Sequence, residues 1–396
     1  MKIIIEKSKP RGKVGTPPSK SFSHRALICA ALCGGKSVVN NISTCDDVLK
    51  TAECLNNLGA EIEFLDGCAV VNGVTANNVM KNAVLDCGES GSTFRFLLAL
   101  SAMLGSDAEL KGSERLFQRV YASAEEFLEG NGCSFICGEN SIKTQGAFPI
   151  KNITLNCADS SQLLSGVLMA LPLTDYTVTV NDAISSAPYI DITDDTIKNF
   201  GVCIISEDEL FSAKGAYKAC DYAIEGDWSS AAFLYALAAL GDVSVNGLNE
   251  KSLQGDKVCK QIINGIINGE INTVDVGNTP DLFPVLAAVA VLNGGCAFTG
   301  TKRLHNKESD RVAAITEEFA KFGVTVLENG DAVTVGGGAE IPREELFSHN
   351  DHRVAMALTV LCAALGGTIN GIECTAKSLP EYFGILDCLN INYRRC

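Results

Sequence analysis

A few short runs gather cations, carboxylates and hydroxyls where the chain enters a helix. PPSKSFSHR, Pro17 to Arg25, sets Lys20 and Ser21 at a helix start behind two prolines that stiffen the entry. It lacks the G-x-x-x-x-G-K spacing of a phosphate loop, so an anion held there would rest on a helix end and its side chains. KESDR, Lys307 to Arg311, places two cations around two carboxylates at the start of an amphipathic helix. That composition suits proton transfer beside an anion, and equally a solvated ion cluster. NDHR, Asn350 to Arg353, adds Arg353 and His352, and Lys377 lies in CTAKSLPEYF. With four histidines in the chain and no third ligand apparent near His349 and His352, no metal centre is expected.

These runs belong to a repeated plan. Six segments begin near Ser19, Ser90, Ser160, Asp227, Asp281 and Asp351, each with a small or polar head, an apolar helical body and usually a glycine and a strand. Their bodies, such as TFRFLLALSAMLG and HRVAMALTVLCAALGG, are apolar on nearly every side, which predicts buried helices. Heads of Ser, Thr or Asp suit helix capping. A helix start also exposes unpaired N–H groups and the positive end of its dipole, so it favours anions. Lys20, Ser21 and Arg25 mark the first head, Gly91 and Arg95 the second, Ser160, Ser161 and Gln162 the third, and Arg353 the sixth. If the heads converge, they make a site for a strongly anionic ligand; singly, each such residue is as well explained by local capping or pairing.

A second, amphipathic unit recurs between them: Asp46 to Leu58, Ser123 to Asn131, Thr193 to Phe200 and Arg311 to Phe322, each followed by glycine. The first three recur about every seventy residues, which predicts three units in each half and a boundary near Glu225-Gly226-Asp227. The strand around Ile3 to Glu6 can pair with either half.

Composition limits the function classes. At 396 residues two domains are expected, and 46% hydrophobic with 20% charged residues is a globular balance. A net charge of −15 argues against a nucleic-acid surface. Apolar stretches such as PVLAAVAVL, Pro284 to Leu292, are too short to span a membrane, and the start lacks a cleavable signal pattern, so a cytoplasmic protein is expected. Seventeen cysteines are scattered without a C-x-x-C pair, several of them in apolar runs, which points to reduced thiols acting as small hydrophobes.

PPSKSFSHR, GESGSTFR, SSQLL, SSAPYIDIT, NTPDLFP, NKESDR, NDHR and TAKSLPEYF, in that order from about Lys20 to Phe383, resemble the motifs of the 5-enolpyruvylshikimate-3-phosphate synthases. The resemblance implies an α/β fold of two inverse α/β barrels, each of three βαβαββ-type repeats, joined by a hinge. It places residues 15–223 in an inserted domain and 1–14 with 224–396 in a discontinuous one, with the active site in a cleft that ligands close. It implies transfer of the enolpyruvyl group of phosphoenolpyruvate to the 5-hydroxyl of shikimate 3-phosphate with release of phosphate, without cofactor or metal, by a cytoplasmic monomer with no nucleic-acid or membrane partner. Shikimate 3-phosphate would be held by Lys20, Ser21, Arg25, Ser160, Ser161, Gln162, Ser186, Tyr189, Asp281 and Lys307. Phosphoenolpyruvate would be held by Lys20, Gly91, Arg119, Gln162, Arg311, Arg353 and Lys377. Asp281 is the candidate base and Glu308 the candidate proton donor, with Lys20 and Lys377 as further proton carriers. The open space at Gly91 makes glyphosate an expected competitor. Glu89 stands where the family commonly has Asn, and Arg303 aligns approximately where some members have Asn. Two rivals remain. Enolpyruvyl transfer to UDP-N-acetylglucosamine is disfavoured by Ser21 after Lys20 and by the lack of a cysteine between Cys87 and Cys133. A non-catalytic anion-binding protein would need neither Asp281 nor Glu308.

Overall fold

The computed structural model describes residues 1–158 and 160–396. It divides into two compact units, Pro18–Glu225 and Met1–Pro17 with Gly226–Cys396. The division at Glu225–Gly226 falls at the boundary the repeats predict, and the limits implied by the resemblance, 14/15 and 223/224, lie a few residues earlier.

The unit Pro18–Glu225 holds three four-stranded sheets of one design. In each, a short strand pairs parallel with a second, which pairs antiparallel with the far strand of a hairpin. Asp221–Ala223 lies parallel to Lys36–Asn40, which is antiparallel to Cys68–Asn72, itself paired with Glu61–Leu65. Val84–Asp86 and Glu109–Lys111 repeat the pattern with Ser141–Gln145 and Ser134–Cys137. Asn152–Leu155 and Thr177–Val180 repeat it with Leu210–Gly215 and Val202–Glu207. The other unit keeps the pattern in Thr273–Asp275, Gly295–Thr299, Ala332–Gly336 and Val326–Asn329.

The N-terminal strand, left open by the sequence, joins the second unit. Lys2–Ile5 pairs antiparallel with both Gly367–Asn370 and Tyr393–Arg395. Ile3 and Ile5 are buried on one face, so the strand needs a covered sheet, and its partners on both edges lie in the same unit. Arg11–Gly15 then lies parallel to Asp242–Asn246.

The six apolar runs are helices Lys20–Ala31, Gly91–Leu104, Gln162–Ala170, Trp228–Ala238, Phe283–Leu292 and His352–Leu365. They are buried along most of their length, three in the core of each unit. Packing between Gly91–Leu104 and Gln162–Ala170 requires Gly166. A Cβ there would sit 2.8 Å from the Phe96 Cα, closer than two carbons tolerate, so the glycine is what lets these two helices touch. Two amphipathic helices start earlier than the periodicity predicts. Glu114–Gly130 begins where Ser113 accepts a hydrogen bond from the Leu116 N–H at 3.1 Å, and Pro188–Asn199 begins at a proline already set to a helical φ. All seventeen cysteines are free thiols and most are buried.

Candidate functional site

Capping is divided among the six heads. Side chains of Ser90, Asp227 and Asp351 accept from backbone N–H groups of the first turn, as their residue types predict. Ser19 and Ser161 do not cap through their side chains, and the fifth helix is preceded by Leu282 rather than Asp281. The Asp281 carboxylate is therefore available for a different partner.

In the unit Pro18–Glu225, Lys20 and Asp47 form an ion pair at 2.9 Å, both side chains largely buried. One helical turn on, the buried Arg25 is surrounded by neutral oxygens. Its Nε donates to Thr193 Oγ1 at 2.7 Å, Nη1 to the Ser21 carbonyl at 2.9 Å, and Nη2 to Ser165 Oγ and the Tyr189 carbonyl, each at 3.2 Å. The guanidinium carbon also lies 5.0 Å from the Phe96 ring centre. Burial brings Arg25 down to about 10, opposed by Tyr189 and Cys29, which still leaves it a cation at neutral pH.

The close helix pair brings a second group together. Arg95 Nη1 donates to Gln162 Oε1 at 2.8 Å, its Nη2 donates to the Arg119 carbonyl at 3.0 Å, and Gln162 Nε2 donates to Ser92 Oγ at 3.0 Å. A Cβ on Gly91 would lie 3.1 Å from Arg95 Nη1, 3.6 Å from Arg119 Nη2 and 3.8 Å from Gln162 Oε1. Gly91 thus fronts a small cradle of two guanidinium groups and an amide at a helix start. Arg119, drawn from the least distinctive stretch, belongs to this cradle. Ser160 Oγ accepts from the Gln162 N–H at 3.2 Å, which fixes the entry to that helix. Ser186 is buried with a φ of 54°, immediately ahead of the helix that carries Tyr189.

The other unit builds an ion cluster on Arg311, which is fully buried. Its Nε donates to Asp351 Oδ2 at 3.0 Å, Nη1 to Asp281 Oδ1 at 2.8 Å and Nη2 to Glu308 Oε2 at 2.9 Å. Asp351 also caps its helix through the Arg353 N–H and accepts from the Ser309 hydroxyl at 3.1 Å. Arg353 is buried, with Nη2 3.7 Å from Asp281 Oδ2. Its Nε and Nη1 have no hydrogen-bond partner among the described residues, an expensive condition for a buried cation unless an anion supplies acceptors. Lys377 Nζ donates to the Asn350 carbonyl at 2.7 Å, which brings it to the entry of the same helix. Arg303, the approximate departure from the family pattern, donates to the Gly277 carbonyl at 3.2 Å.

Charge within this cluster is strongly coupled. Burial alone would raise the Asp281 carboxyl, but Arg311, Arg353 and Lys307 outweigh it and hold the group well below the usual carboxylate range. Burial pushes the Lys307 ammonium down to about 8; Arg311 and Arg303 add to this, and Asp281 opposes it. Burial and the nearby Asp281 raise the Asp256 carboxyl to about 7, against hydrogen bonding from Ser229 and the charge of Arg353. Asp256 went unrecognised in the sequence, as did Asp47, Thr193 and the ion-pair role of Asp351. His349 is instead engaged with the buried Glu318 at 2.8 Å, which also receives Lys321 and the Phe347 N–H.

Residues 5–386 match the model of the EPSP synthase (3-phosphoshikimate 1-carboxyvinyltransferase) family. The 3-phosphoshikimate 1-carboxyvinyltransferase of Clostridium perfringens (strain SM101 / Type A) is 35% identical over 412 aligned positions, covering 96% of each chain. That of Clostridium beijerinckii is 35% identical over 415 positions, covering 96% of this chain and 95% of its own. The fold matches that of an EPSP synthase from Acinetobacter baumannii over the whole of both chains, with a TM-score of 0.76 at 21% identity. Motif order, the two sets of three repeats and similarity along nearly the whole length agree, and the chain belongs to the EPSP synthase family.

Proposed function

We propose that the arginine cradle at Gly91 and the ion cluster on Arg311 serve one reaction, enolpyruvyl transfer from phosphoenolpyruvate to the 5-hydroxyl of shikimate 3-phosphate. The observation that carries the proposal is Arg311 joining Asp281 and Glu308 through separate nitrogens, which holds two carboxylates at fixed places beside a cation. Two such groups can take one proton and give another in a single turnover.

Shikimate 3-phosphate is assigned to Lys20, Ser21, Arg25, Ser160, Ser161, Gln162, Ser186 and Tyr189, with Asp281 and Lys307. Phosphoenolpyruvate is assigned to Lys20, Gly91, Arg119 and Gln162, with Arg311, Arg353 and Lys377. Glu308 protonates C3 of phosphoenolpyruvate, which makes C2 electrophilic. Asp281 takes the proton of the 5-hydroxyl as its oxygen bonds to C2. Loss of a C3 proton and departure of phosphate then restore the double bond. Beside Arg311, Arg353 and Lys307, Asp281 is too well stabilised as an anion to be a strong base. Anionic substrates that draw on Arg353 and Lys307 remove part of that stabilisation and raise its basicity when the hydroxyl is in place. The arginines meet carboxylate and phosphate by paired N–H donors.

The enzyme is read as a cytoplasmic monomer that uses small anions and neither nucleic acid nor membrane. A net charge of −15 argues against a nucleic-acid surface, and among the described residues no helix is long and apolar enough to cross a membrane. Glyphosate competes at the Gly91 cradle. The test is phosphate release on mixing the enzyme with both substrates. Release only when both are present is expected; none under any mixture removes the reading.

A further inference from the structure

A chain of buried side chains runs behind the residues assigned to phosphoenolpyruvate in the unit Pro18–Glu225. His24 Nδ1 lies 2.7 Å from Thr51 Oγ1, which lies 2.6 Å from Thr93 Oγ1, and the Thr93 hydroxyl donates to Ser90 Oγ at 2.7 Å. Ser90 Oγ also accepts the Thr93 N–H at 3.2 Å, capping the helix that begins at Gly91. All four residues are buried. The hydroxyls of Thr51 and Thr93 both stand 3.3 Å from the carbonyl of Asp47, the residue that pairs with Lys20. One network therefore touches the helix bearing Lys20 and Arg25, the counterion of Lys20, and the head at Gly91.

The proton order in this chain is determined from one end. Thr93 has a single hydroxyl proton and two acceptors in reach, Ser90 Oγ at 2.7 Å and the Asp47 carbonyl at 3.3 Å; the shorter contact takes it, so Thr51 donates across the 2.6 Å contact. Thr51 likewise has one proton, which the 2.6 Å contact claims over the Asp47 carbonyl at 3.3 Å, so His24 donates to it from Nδ1. The other end agrees: His24 Nε2 is buried with no partner among the described residues, where a lone pair is easier to leave unpaired than an N–H. Burial, with the charges of Lys20 and Arg25, holds His24 well below its ordinary value, so the ring is neutral and has one proton to place.

We infer that His24, Thr51 and Thr93 are positioning residues: a one-way hydrogen-bond relay fixes the Gly91 helix head against Lys20 and Asp47 and so sets the affinity for phosphoenolpyruvate. This rests on the assignment of Lys20 and Gly91 to that substrate. Nothing in the relay touches the substrate. Its effect is to keep the backbone at Gly91 and the Lys20 ammonium in register, so that one anion meets both.

Two measurements test it. With four histidines in the chain, long-range proton–nitrogen NMR can assign His24 by comparison with His24→Gln. The relay requires the neutral Nδ1–H tautomer in wild type and its loss in Thr51→Val; an Nε2–H ring or an imidazolium in wild type overturns it. In kinetics, Thr93→Val is expected to raise KM for phosphoenolpyruvate about tenfold with much less change in kcat, and Thr93→Ser to restore it. An unchanged KM in Thr93→Val overturns the proposal, and Thr51→Val carries the same expectation if Thr93→Val does not fold. Should wild type release no phosphate, the catalytic reading falls on its own. Calorimetric titration of phosphoenolpyruvate into wild type and Thr93→Val then decides the relay: weaker binding in the variant supports it, and equal or no binding in both overturns it.

Discussion

Arg25, in an apolar core helix of one unit, and Arg311, at the start of an amphipathic helix of the other, are both buried arginines, yet their surroundings are opposite. Arg25 is held by two hydroxyls, two carbonyls and aromatic faces, with no carboxylate partner among the described residues. Arg311 is held by three carboxylates. Burial lowers Arg25, because neutral dipoles only partly replace water. Burial acts the same way on Arg311, but Asp351, Asp281 and Glu308 reverse it and raise the group above its ordinary value. An arginine with neutral partners keeps its charge available for an incoming anion. One that is already neutralised instead fixes the carboxylates around it. The first arrangement makes a receptor, and the second a scaffold for groups that move protons.

The comparison predicts unequal consequences of removing each cation. Arg311→Ala strands three carboxylates and should lower stability by roughly 3–5 kcal/mol, the usual effect of leaving buried charge uncompensated. Arg25→Ala leaves only neutral acceptors and should lower stability by about 1–3 kcal/mol. Urea unfolding at neutral pH measures both, and equal losses would erase the distinction. Within the scaffold, Glu308→Gln keeps an acceptor for Arg311 but cannot deliver a carboxylic proton. Its kcat should fall by roughly a hundredfold or more with KM little altered, and steady-state kinetics with an unchanged kcat would remove Glu308 from proton transfer.

Repeats and helix heads were legible because apolar bodies and capped starts are local patterns. KESDR announced charge but not its geometry: the sequence shows Arg311 next to Glu308, while Asp281 and Asp351 reach it from helix heads 30 and 40 residues away. Thr193 and Ser165 are as far out of local reach of Arg25, at separations of 168 and 140 residues. Such partners are chosen by the packing of neighbouring repeats, and their own residue types are ordinary. Asp256 was hidden for the same reason. It is an acid in a short turn until burial beside Ser229 and the field of Asp281 make it unusual. The early start of Glu114–Gly130 was obscured by a charged first turn, although the Ser113 cap was available to be read.

Arg353 is the one member of the scaffold with buried nitrogens lacking acceptors among the described residues, so it should behave like the receptor. Arg353→Ala is expected to raise KM for phosphoenolpyruvate by about tenfold or more, and wild-type kinetics would return it to the structural class.

The smallest effect is expected from pH at Lys307, which stands between the two types. Its ammonium is lowered from 10.5 to about 8, first by burial and then by neighbouring arginines. As pH rises through about 8 the folded protein loses this cation, so KM for shikimate 3-phosphate should climb, by up to tenfold per unit, and Lys307→Arg should flatten the climb. Stability should move the other way. Between about 8 and 10.5 the unfolded chain still binds the proton that the folded one has released, so this group makes folding more favourable as pH rises. Affinity and stability measured across the same window separate a local titration from general alkaline damage, since damage would lower both together. A flat KM in wild type over that window would place Lys307 with the scaffold instead of the receptor.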